Sequence, residues 1–432
     1  MDRKYILIGG IGVLLLILII VAVFAFSGDS KNNQPTNENI ELIWWKPFED
    51  SQNVQELINN YQQLHGNVQI KYVKKDSAEY ENELLKAIAT GNAPDIFSIH
   101  NDWLPAYESI IAPAPESLIS PKAYKDNFAD VAYNDFVKGN RIYGVPLSID
   151  ALALFYNKDI LGSAGLLPPT TWPELVNMVP KLTQVSKTGV FAQSGVALGT
   201  SENVNRGVDI LTLMMLQNGT KFYSDDFTSA EFDQSQEDFN PGVYALTLYT
   251  QFANPSKQSY SWNVRNDQSV DAFTQGKLAM MLAYQYLQPL IKAKAPNLGW
   301  DTAPVPQISP EVLKVNFANY WGEAVTSASK NQAAAWDFLN FITSKEELEK
   351  YYAKHKVPAS RKDILPQQQG DADIGVFAEA IFTAKSVYKK DARIYEGVFK
   401  TMIDSVVLNG VPIDDALRNA AEQINLNLRK NE

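Results

Sequence analysis

Apolar residues along the chain recur with two spacings, one typical of strands and one typical of helices. The apolar runs at residues 40–44, 68–72 and 96–99 predict strands. Helical spacing between these runs predicts one helix that begins at Ser51 and a second helix around residues 84–88. Strand and helix therefore alternate, and this order predicts a parallel sheet with helices on its faces.

The alternation starts again after residue 150. Residues 152–156 predict a strand, and Thr171 with Glu174 forms a capping box that predicts the start of a helix. The remaining periodic segments predict strands at 196–198, 278–282, 299–304 and 322–326, and helices at 208–216, 243–252, 270–274, 333–342, 346–353, 376–388, 395–408 and 414–428. A chain of 432 residues with this pattern predicts an α/β fold in two globular lobes.

The first 39 residues follow a different pattern. Two basic residues precede an uncharged, mostly apolar run over residues 5–26, which is long enough to cross a bilayer. We expect an uncleaved transmembrane helix with its N-terminus in the cytoplasm, followed by a flexible polar linker over 27–39 and an exported remainder. Val23 and Ala25 leave open a small-residue cleavage site, after which the protein would be secreted.

Charge and cysteine content exclude several classes of partner. The net charge of -11 and the pI near 5.0 argue against nucleic acid, because a phosphate-tracking surface needs clustered Lys and Arg. The chain has no cysteine, which excludes disulfides, thiol nucleophiles, Cys-ligated metals and a lipidated cysteine. His65, His100 and His355 lie far apart, without the spacing of metal ligands. We therefore predict no metal and no cofactor.

Candidate binding residues follow the first and third predicted strands, because α/β sheets bind ligands beyond the carboxyl ends of their strands. These residues offer aromatic faces beside hydrogen-bonding groups, which is the chemistry that a sugar requires. Trp44, Trp45 and Trp103 are also compatible with the core, and Trp44 more so because it lies inside a strand. The candidates are Trp45, Lys46, Glu49, His100, Asn101, Asp102 and Trp103.

Several longer segments resemble the family 1 extracellular solute-binding proteins, the class to which maltose-binding protein belongs. The segments occur in the expected order along about residues 40–425. They are Gly-Asn-Ala-Pro-Asp-Ile-Phe at 91–97, Tyr-Gly-Val-Pro-Leu-Ser-Ile-Asp at 143–150, Leu-Phe-Tyr-Asn-Lys-Asp at 154–159, Thr-Trp-Pro-Glu-Leu at 171–175, Phe-Thr-Gln-Gly-Lys-Leu-Ala-Met-Met at 273–281, Ala-Ala-Trp-Asp-Phe-Leu at 334–339 and Val-Pro-Ala-Ser-Arg at 357–361. Their shared order is more specific than any one of them.

This resemblance implies a two-lobed periplasmic-binding-protein-like fold of type II, with discontinuous lobes joined by hinge segments. Residues 1–39 would be the membrane anchor and linker. Lobe one would comprise 40–148 plus 302–345, and lobe two 149–301 plus 346–432. The ligand contacts that the resemblance implies are Trp45, Asp102, Asp150, Tyr284, Tyr286, Trp321, Glu323 and Arg361.

Each implied contact has an alternative role. Asp150 could orient the hinge backbone, the two tyrosines could pack beneath the cleft, and Arg361 could form a salt bridge between the lobes. Trp321 is the stronger candidate, because the following Gly322 lets backbone approach a ligand.

The function implied is that of a monomeric, extracytoplasmic solute-binding component of an ABC importer. It would bind a sugar or oligosaccharide and dock on ABC permease subunits, and it would not be an enzyme. Two alternatives stay open: a tethered ligand sensor for a membrane receptor, and an extracellular glycoside hydrolase with paired carboxylates. Many relatives are anchored through a lipidated cysteine, which this chain lacks, so the apolar run over 5–26 would be the tether.

Overall fold

The computed structural model describes residues 39–429. The predicted transmembrane helix over 5–26 and most of the predicted linker lie outside the described residues. Within residues 39–429, no helix combines the length and the apolar character needed to span a bilayer.

Sixteen strands are present in the described part of the chain, and most are short. They are β1 Ile40–Pro47, β2 Val68–Lys75, β3 Ile96–His100, β4 Ile111–Ala112, β5 Val137–Lys138, β6 Arg141–Ile142, β7 Val145–Pro146, β8 Asp150–Ala151, β9 Ala153–Asn157, β10 Gln184–Val185, β11 Phe191–Val196, β12 Leu278–Ala283, β13 Trp300–Ala303, β14 Asn316–Asn319, β15 Trp321–Thr326 and β16 Ala384–Lys385.

The α-helices lie between these strands and make up most of the chain after residue 330. They are α1 Ser51–Leu64, α2 Tyr80–Ala89, α3 Leu104–Tyr107, α4 Pro121–Asn127, α5 Asp130–Phe136, α6 Lys158–Ser163, α7 Trp172–Leu182, α8 Gly207–Gln217, α9 Pro241–Thr250, α10 Ser269–Thr274, α11 Gln288–Lys294, α12 Gln332–Ile342, α13 Lys345–His355, α14 Leu365–Gln368, α15 Gly375–Ile381, α16 Ala392–Val407 and α17 Ile413–Arg429.

The strands form two main sheets and a smaller one. The first sheet has the order β2-β1-β3-β15-β4, with β7 also paired to β15, and the second has the order β10-β11-β12-β9-β13. The smaller sheet, β16-β14-β8, contains the segments that run between the other two, so we call it the connecting sheet. β1 and β3 are parallel, as predicted, whereas β15 is antiparallel to β3.

Strong local signals were confirmed. Thr171 and Glu174 form the predicted capping box, in which the Thr171 hydroxyl accepts from the Glu174 N–H and the Glu174 carboxylate accepts from the Thr171 N–H. The buried face of α1 consists of Val54, Leu57, Ile58 and Tyr61, all from the predicted apolar stripe. Local periodicity therefore located these elements correctly.

The helix predicted over 376–388 is wrong in its second half. α15 ends at Ile381, and β16 then pairs in parallel with β14. The Asn316 N–H also donates to the Thr383 carbonyl at 3.0 Å. Pairing with a distant strand thus overrides the local helical spacing.

Candidate functional site

A cavity of about 610 Å³ opens where the first sheet, the connecting sheet and the turn after β12 come together. Parallel β1 and β3 place their carboxyl ends at one edge, and antiparallel β15 begins at the same edge because Trp321 pairs with His100. The lining side chains include Lys46, Phe48, Glu49, Ser98, Asp150, Arg206, Gln285, Tyr286, Asn319, Trp321 and Tyr351.

A second cavity of about 530 Å³ adjoins the first. Phe48, Arg206, Asn319 and Trp321 line both cavities, so the two are parts of one cleft. The second cavity is richer in charge, and its lining includes His100, Asp102, Asp209, Lys389, Arg393 and Glu396. The cleft therefore has a more aromatic part and a more ionic part.

Aromatic rings form the wall that the two cavities share. Phe48 is 62% exposed, and its ring centroid lies 5.7 Å from that of Trp321 in an edge contact. Trp321 in turn has edge contacts with His100 and Trp103, each at 5.1 Å between ring centroids. An exposed aromatic face beside polar groups suits a ligand with an apolar face and a polar rim.

Two residues that line both cavities have left-handed backbone conformations. Phe48 has φ 63° and Arg206 has φ 58°, values that favour glycine. Such a conformation costs on the order of 1 kcal/mol or more in a residue with a side chain, and it is concentrated at functional sites. Strained backbone at both positions directs two large side chains into one cleft.

A buried ionic cluster supports the floor of the cleft. The Glu323 carboxylate, which is fully buried, accepts hydrogen bonds from Trp44 Nε1 at 2.8 Å, Lys46 Nζ at 2.5 Å and Ser98 Oγ at 2.9 Å. Burial acts to lower the pKa of Lys46, but the Glu323 and Glu49 carboxylates outweigh it and raise that pKa. Glu323 thus holds Lys46 rather than facing the cavity.

Asp150 lies at the point where the chain enters the connecting sheet. Its carboxylate accepts backbone N–H bonds from Ala151 at 2.9 Å, Gln285 at 3.0 Å and Tyr286 at 3.1 Å. Burial raises the pKa of Asp150 to about 7, against the opposing effect of these three bonds and of Arg206. The residue lines the first cavity and orients backbone at the same time.

Asp102 belongs to the ionic part of the cleft. Its oxygens lie 2.5 Å from His100 Nδ1 and 2.8 Å from Lys389 Nζ, and the carboxylate is buried. Burial alone would raise the pKa of Asp102, but His100 and Lys389 hold it well below its ordinary value. The pair joins the loop after β3 to the segment before α16.

Only some of the predicted contact residues line the cleft. Asp150, Tyr286 and Trp321 line the first cavity, and Asp102 and Trp321 line the second. Trp45, Tyr284 and Glu323 line neither cavity.

Arg361 lies in a different place. It forms a bidentate salt bridge with Asp363, with nitrogen-to-oxygen distances of 3.0 and 3.1 Å. It also lines a separate groove beside Phe128. Its ion pair is local in sequence.

The positions of Trp45 and Tyr284 have simple causes. Successive strand residues face opposite sides of a sheet, so Trp44 enters the core and Trp45 points away from it. Lys75 Nζ covers the Trp45 ring at 3.8 Å from the centroid. Tyr284 is fully buried, and its hydroxyl donates to Asp209 Oδ2 at 3.0 Å.

Sequence reasoning did not single out Phe48, Arg206 or Lys389. Phe48 follows β1 directly, so the rule about carboxyl ends could have included it. Arg206 and Lys389 carry no local signal, because only the packing of α8 and α16 brings them to the cleft.

Among residues 39–429, no group of three or more His, Asp or Glu side chains is arranged to hold a metal ion.

The described residues thus form an α/β protein with a concave cleft lined by aromatic and ionic side chains. The family model for bacterial extracellular solute-binding proteins matches residues 45–349. The chain therefore belongs to this family, as its sequence segments indicated.

Individual relatives are distant in sequence and similar in fold. The multiple sugar-binding protein of Streptococcus mutans is 20% identical over 357 residues, which cover 82% of this chain and 83% of the relative. The cyclic α-maltosyl-1,6-maltose binding protein of Arthrobacter globiformis superposes with a TM-score of 0.75 at 18% identity, over 90% of this chain and 99% of that one. An ABC transporter solute-binding protein of Thermotoga lettingae, solved with α-D-tagatose, gives a TM-score of 0.69 at 22% identity, over 90% and 100%.

Proposed function

We propose that this protein binds a sugar or oligosaccharide in the cleft, outside the cytoplasm, and delivers it to an ABC permease. The observation that carries the proposal is the cleft wall: Phe48, Trp321 and Tyr286 present aromatic rings beside Lys46 and Arg206. Rings would stack on the C–H face of a pyranose, and the charged donors would bind its hydroxyls. The sugar ligands named for the relatives support this choice of ligand class.

We infer two lobes that close on the ligand. Trp321 begins β15 and Phe48 directly follows β1, both in the first sheet, whereas Tyr286 follows β12 of the second, so a ligand in the cavity would touch both sides. A ligand that contacts both sides shifts the population toward the closed form. The predicted boundary at residue 302, where the chain would return from lobe two to lobe one, would then lie later in the chain. Sheet pairing supports this shift, because β13 still pairs with β9 in the second sheet and the chain returns to the first sheet at β15.

A thermal-shift screen of the full chain tests the ligand class. The probes are α-D-tagatose, maltose, maltotetraose and mannotriose, with a mixture of amino acids as the control. A ligand at about 100 times its Kd adds roughly 2.7 kcal/mol to the free energy of unfolding, so a true ligand raises the midpoint clearly. A shift with amino acids and none with any sugar would reject the proposal.

Delivery and anchoring need separate measurements. We expect permease subunits to co-purify with the tagged full chain, whereas capture of a receptor in their place would favour a sensor role. We expect the full chain to remain in the membrane fraction after a salt wash. Recovery in the culture medium, with residues 1–26 removed, would establish cleavage and secretion instead.

A further inference from the structure

Asp150 is hydrogen-bonded to the turn that forms one wall of the cleft. Its carboxylate accepts the N–H groups of Gln285 and Tyr286, the first two residues of the 3₁₀ turn that follows β12. Tyr286 is 45% exposed and lines the first cavity. Two hydrogen bonds to a single carboxylate therefore hold the backbone that carries this ring, and the Tyr286 hydroxyl also accepts from Arg206 Nε at 3.1 Å.

The same residue is built into the connecting sheet. Asp150 pairs with Asn319 in the β8–β14 ladder, and the chain continues from Asn319 to Trp321. Asp150 thus links two different parts of the cleft wall. Its carboxylate accepts from the Tyr286 N–H, and its backbone pairs with Asn319, which lies two residues before Trp321. A change in the bonds of Asp150 would alter the relation between the two rings.

We propose that Asp150 is a positioning residue whose ionised carboxylate holds Tyr286 in the ligand-binding position and makes binding depend on pH. This inference rests on the proposed function, because it concerns the same cleft. Asp150 acts here through the backbone of the turn and not through contact with the ligand.

Several charged or titratable groups surround the Asp150 carboxyl. Arg206 favours the ionised form, and burial opposes it and raises the pKa to about 7. α15 packs against β8. The ionisable side chain of α15 is Glu379, which is exposed and pairs with Lys314 at 3.5 Å. The groups by element are Arg206 before α8, Tyr284 and Tyr286 after β12, and Glu379 on α15.

The sign of the pH effect follows from hydrogen-bond strength. A carboxylate accepts stronger hydrogen bonds from N–H groups than a neutral carboxyl does. Lowering the pH through about 7 therefore loosens the turn and weakens ligand binding. By the same linkage, ligand binding near neutral pH favours ionisation of Asp150 and releases a fraction of a proton.

The first test needs no ligand. Tyr286 is replaced by 4-fluorophenylalanine, which does not titrate, and the ¹⁹F resonance is followed between about pH 5 and pH 9, a range that brackets the ionisation of Asp150. We expect a titration with a midpoint near 7 in the otherwise wild-type protein and none in Asp150→Asn. A wild-type resonance that does not shift with pH would overturn the proposal. So would a titration that persists in Asp150→Asn, because another carboxyl such as Asp209 would then cause it.

The second test measures proton release. The sugar with the largest thermal shift is titrated into the full chain near pH 7 in two buffers of different ionisation enthalpy. We expect proton release from the wild type and from Asp126→Asn, an exposed control, and none from Asp150→Asn. Affinity of the wild type should fall by up to about tenfold per pH unit below about 7, and that of Asp150→Asn should not vary.

The outcomes separate the two proposals. If no sugar binds but the ¹⁹F resonance titrates as expected, the proposed ligand class fails and the role of Asp150 in positioning the turn stands. If a sugar binds without proton release and with a flat pH profile, the sugar-binding function stands and the inference about Asp150 fails. The wild-type titrations keep both outcomes measurable even if Asp150→Asn does not fold.

Discussion

The Nζ atom of Lys46 lies 2.5 Å from Oε1 of Glu323, and 277 positions of sequence separate the two residues. Both side chains are buried beneath the cleft, where solvent screens their charges little. The pair ties the end of β1 to β15, two strands that are separated in the first sheet by β3. It therefore fixes the floor on which the ligand would rest.

Removing one member of this pair should destabilise the protein strongly. Lys46→Met leaves the Glu323 carboxylate buried with two neutral donors, and we expect a loss of about 3 kcal/mol in the free energy of unfolding. Urea denaturation at pH 7 measures it. Adding Glu323→Gln to Lys46→Met should restore most of the stability, because the unpaired charge is gone. A loss below about 1 kcal/mol in the single variant would contradict the expectation that a buried Glu323 carboxylate without Lys46 is costly.

Loss of the Trp321 ring should weaken sugar binding with little effect on the rest of the fold. Trp321→Leu removes the stacking face but keeps apolar volume, and we expect about tenfold weaker binding, or roughly 1.4 kcal/mol. Isothermal titration with the best sugar from the screen measures it. Trp300→Leu is the matched control, because Trp300 is also half-buried but stacks on Phe155 in the second sheet. Equal losses in both variants would show a general effect of removing a tryptophan.

Stability should depend on pH through Asp135. Burial raises the pKa of this carboxyl to about 6, against hydrogen bonds from Ser386, Tyr320 and Asn101. Because the pKa is higher in the folded state than in the unfolded state, the contribution to stability is complete below about pH 4 and is lost as the pH rises through 6.

Comparison with Asp135→Asn isolates this contribution. Relative to that variant, the wild type should lose about 3 kcal/mol between about pH 4 and pH 7, as measured by urea denaturation at several pH values. Asp126→Asn provides the baseline, since that side chain is exposed and paired only with Lys122. A constant difference between the wild type and Asp135→Asn across this range would refute the assignment.

The capping box at the start of α7 should contribute a modest amount. Thr171→Ala removes the hydroxyl that accepts from the Glu174 N–H, at an expected cost of about 1 kcal/mol. Thr171→Ser keeps the acceptor and should lose less than half as much. A thermal-unfolding midpoint that Thr171→Ala leaves unchanged would argue that water replaces the cap.

Local sequence sufficed to predict much of the architecture. The alternation of spacings up to residue 100 located β1, α1, β2, α2 and β3, because each depends on neighbours within a few residues. The same reasoning failed over 376–388, where β16 forms only by pairing with β14. The ordered family segments predicted the class of protein, and the family model agrees.

The sequence predicted the side chains that line the cleft less completely than it predicted the strands and helices. The rule about carboxyl ends led to Asp102, and the family resemblance implied Asp150, Tyr286 and Trp321; all four line the cleft. The resemblance also implied Trp45 and Tyr284, but neither lines the two cavities: Lys75 covers the Trp45 ring, and Tyr284 is fully buried with its hydroxyl bonded to Asp209. Residue type shows which side chains could bind a ligand and does not show which way they face.

The sequence by itself determined the periodic elements, the absence of cysteine chemistry and the family. Only the tertiary structure decided that Lys46 pairs with Glu323, that Asp102 pairs with Lys389 across 287 positions, and that Arg206 reaches the cleft. The reason is physical: helix and strand spacing arise from contacts between near neighbours, whereas a cleft is made where distant segments pack, and its energetics depend on the burial that this packing creates.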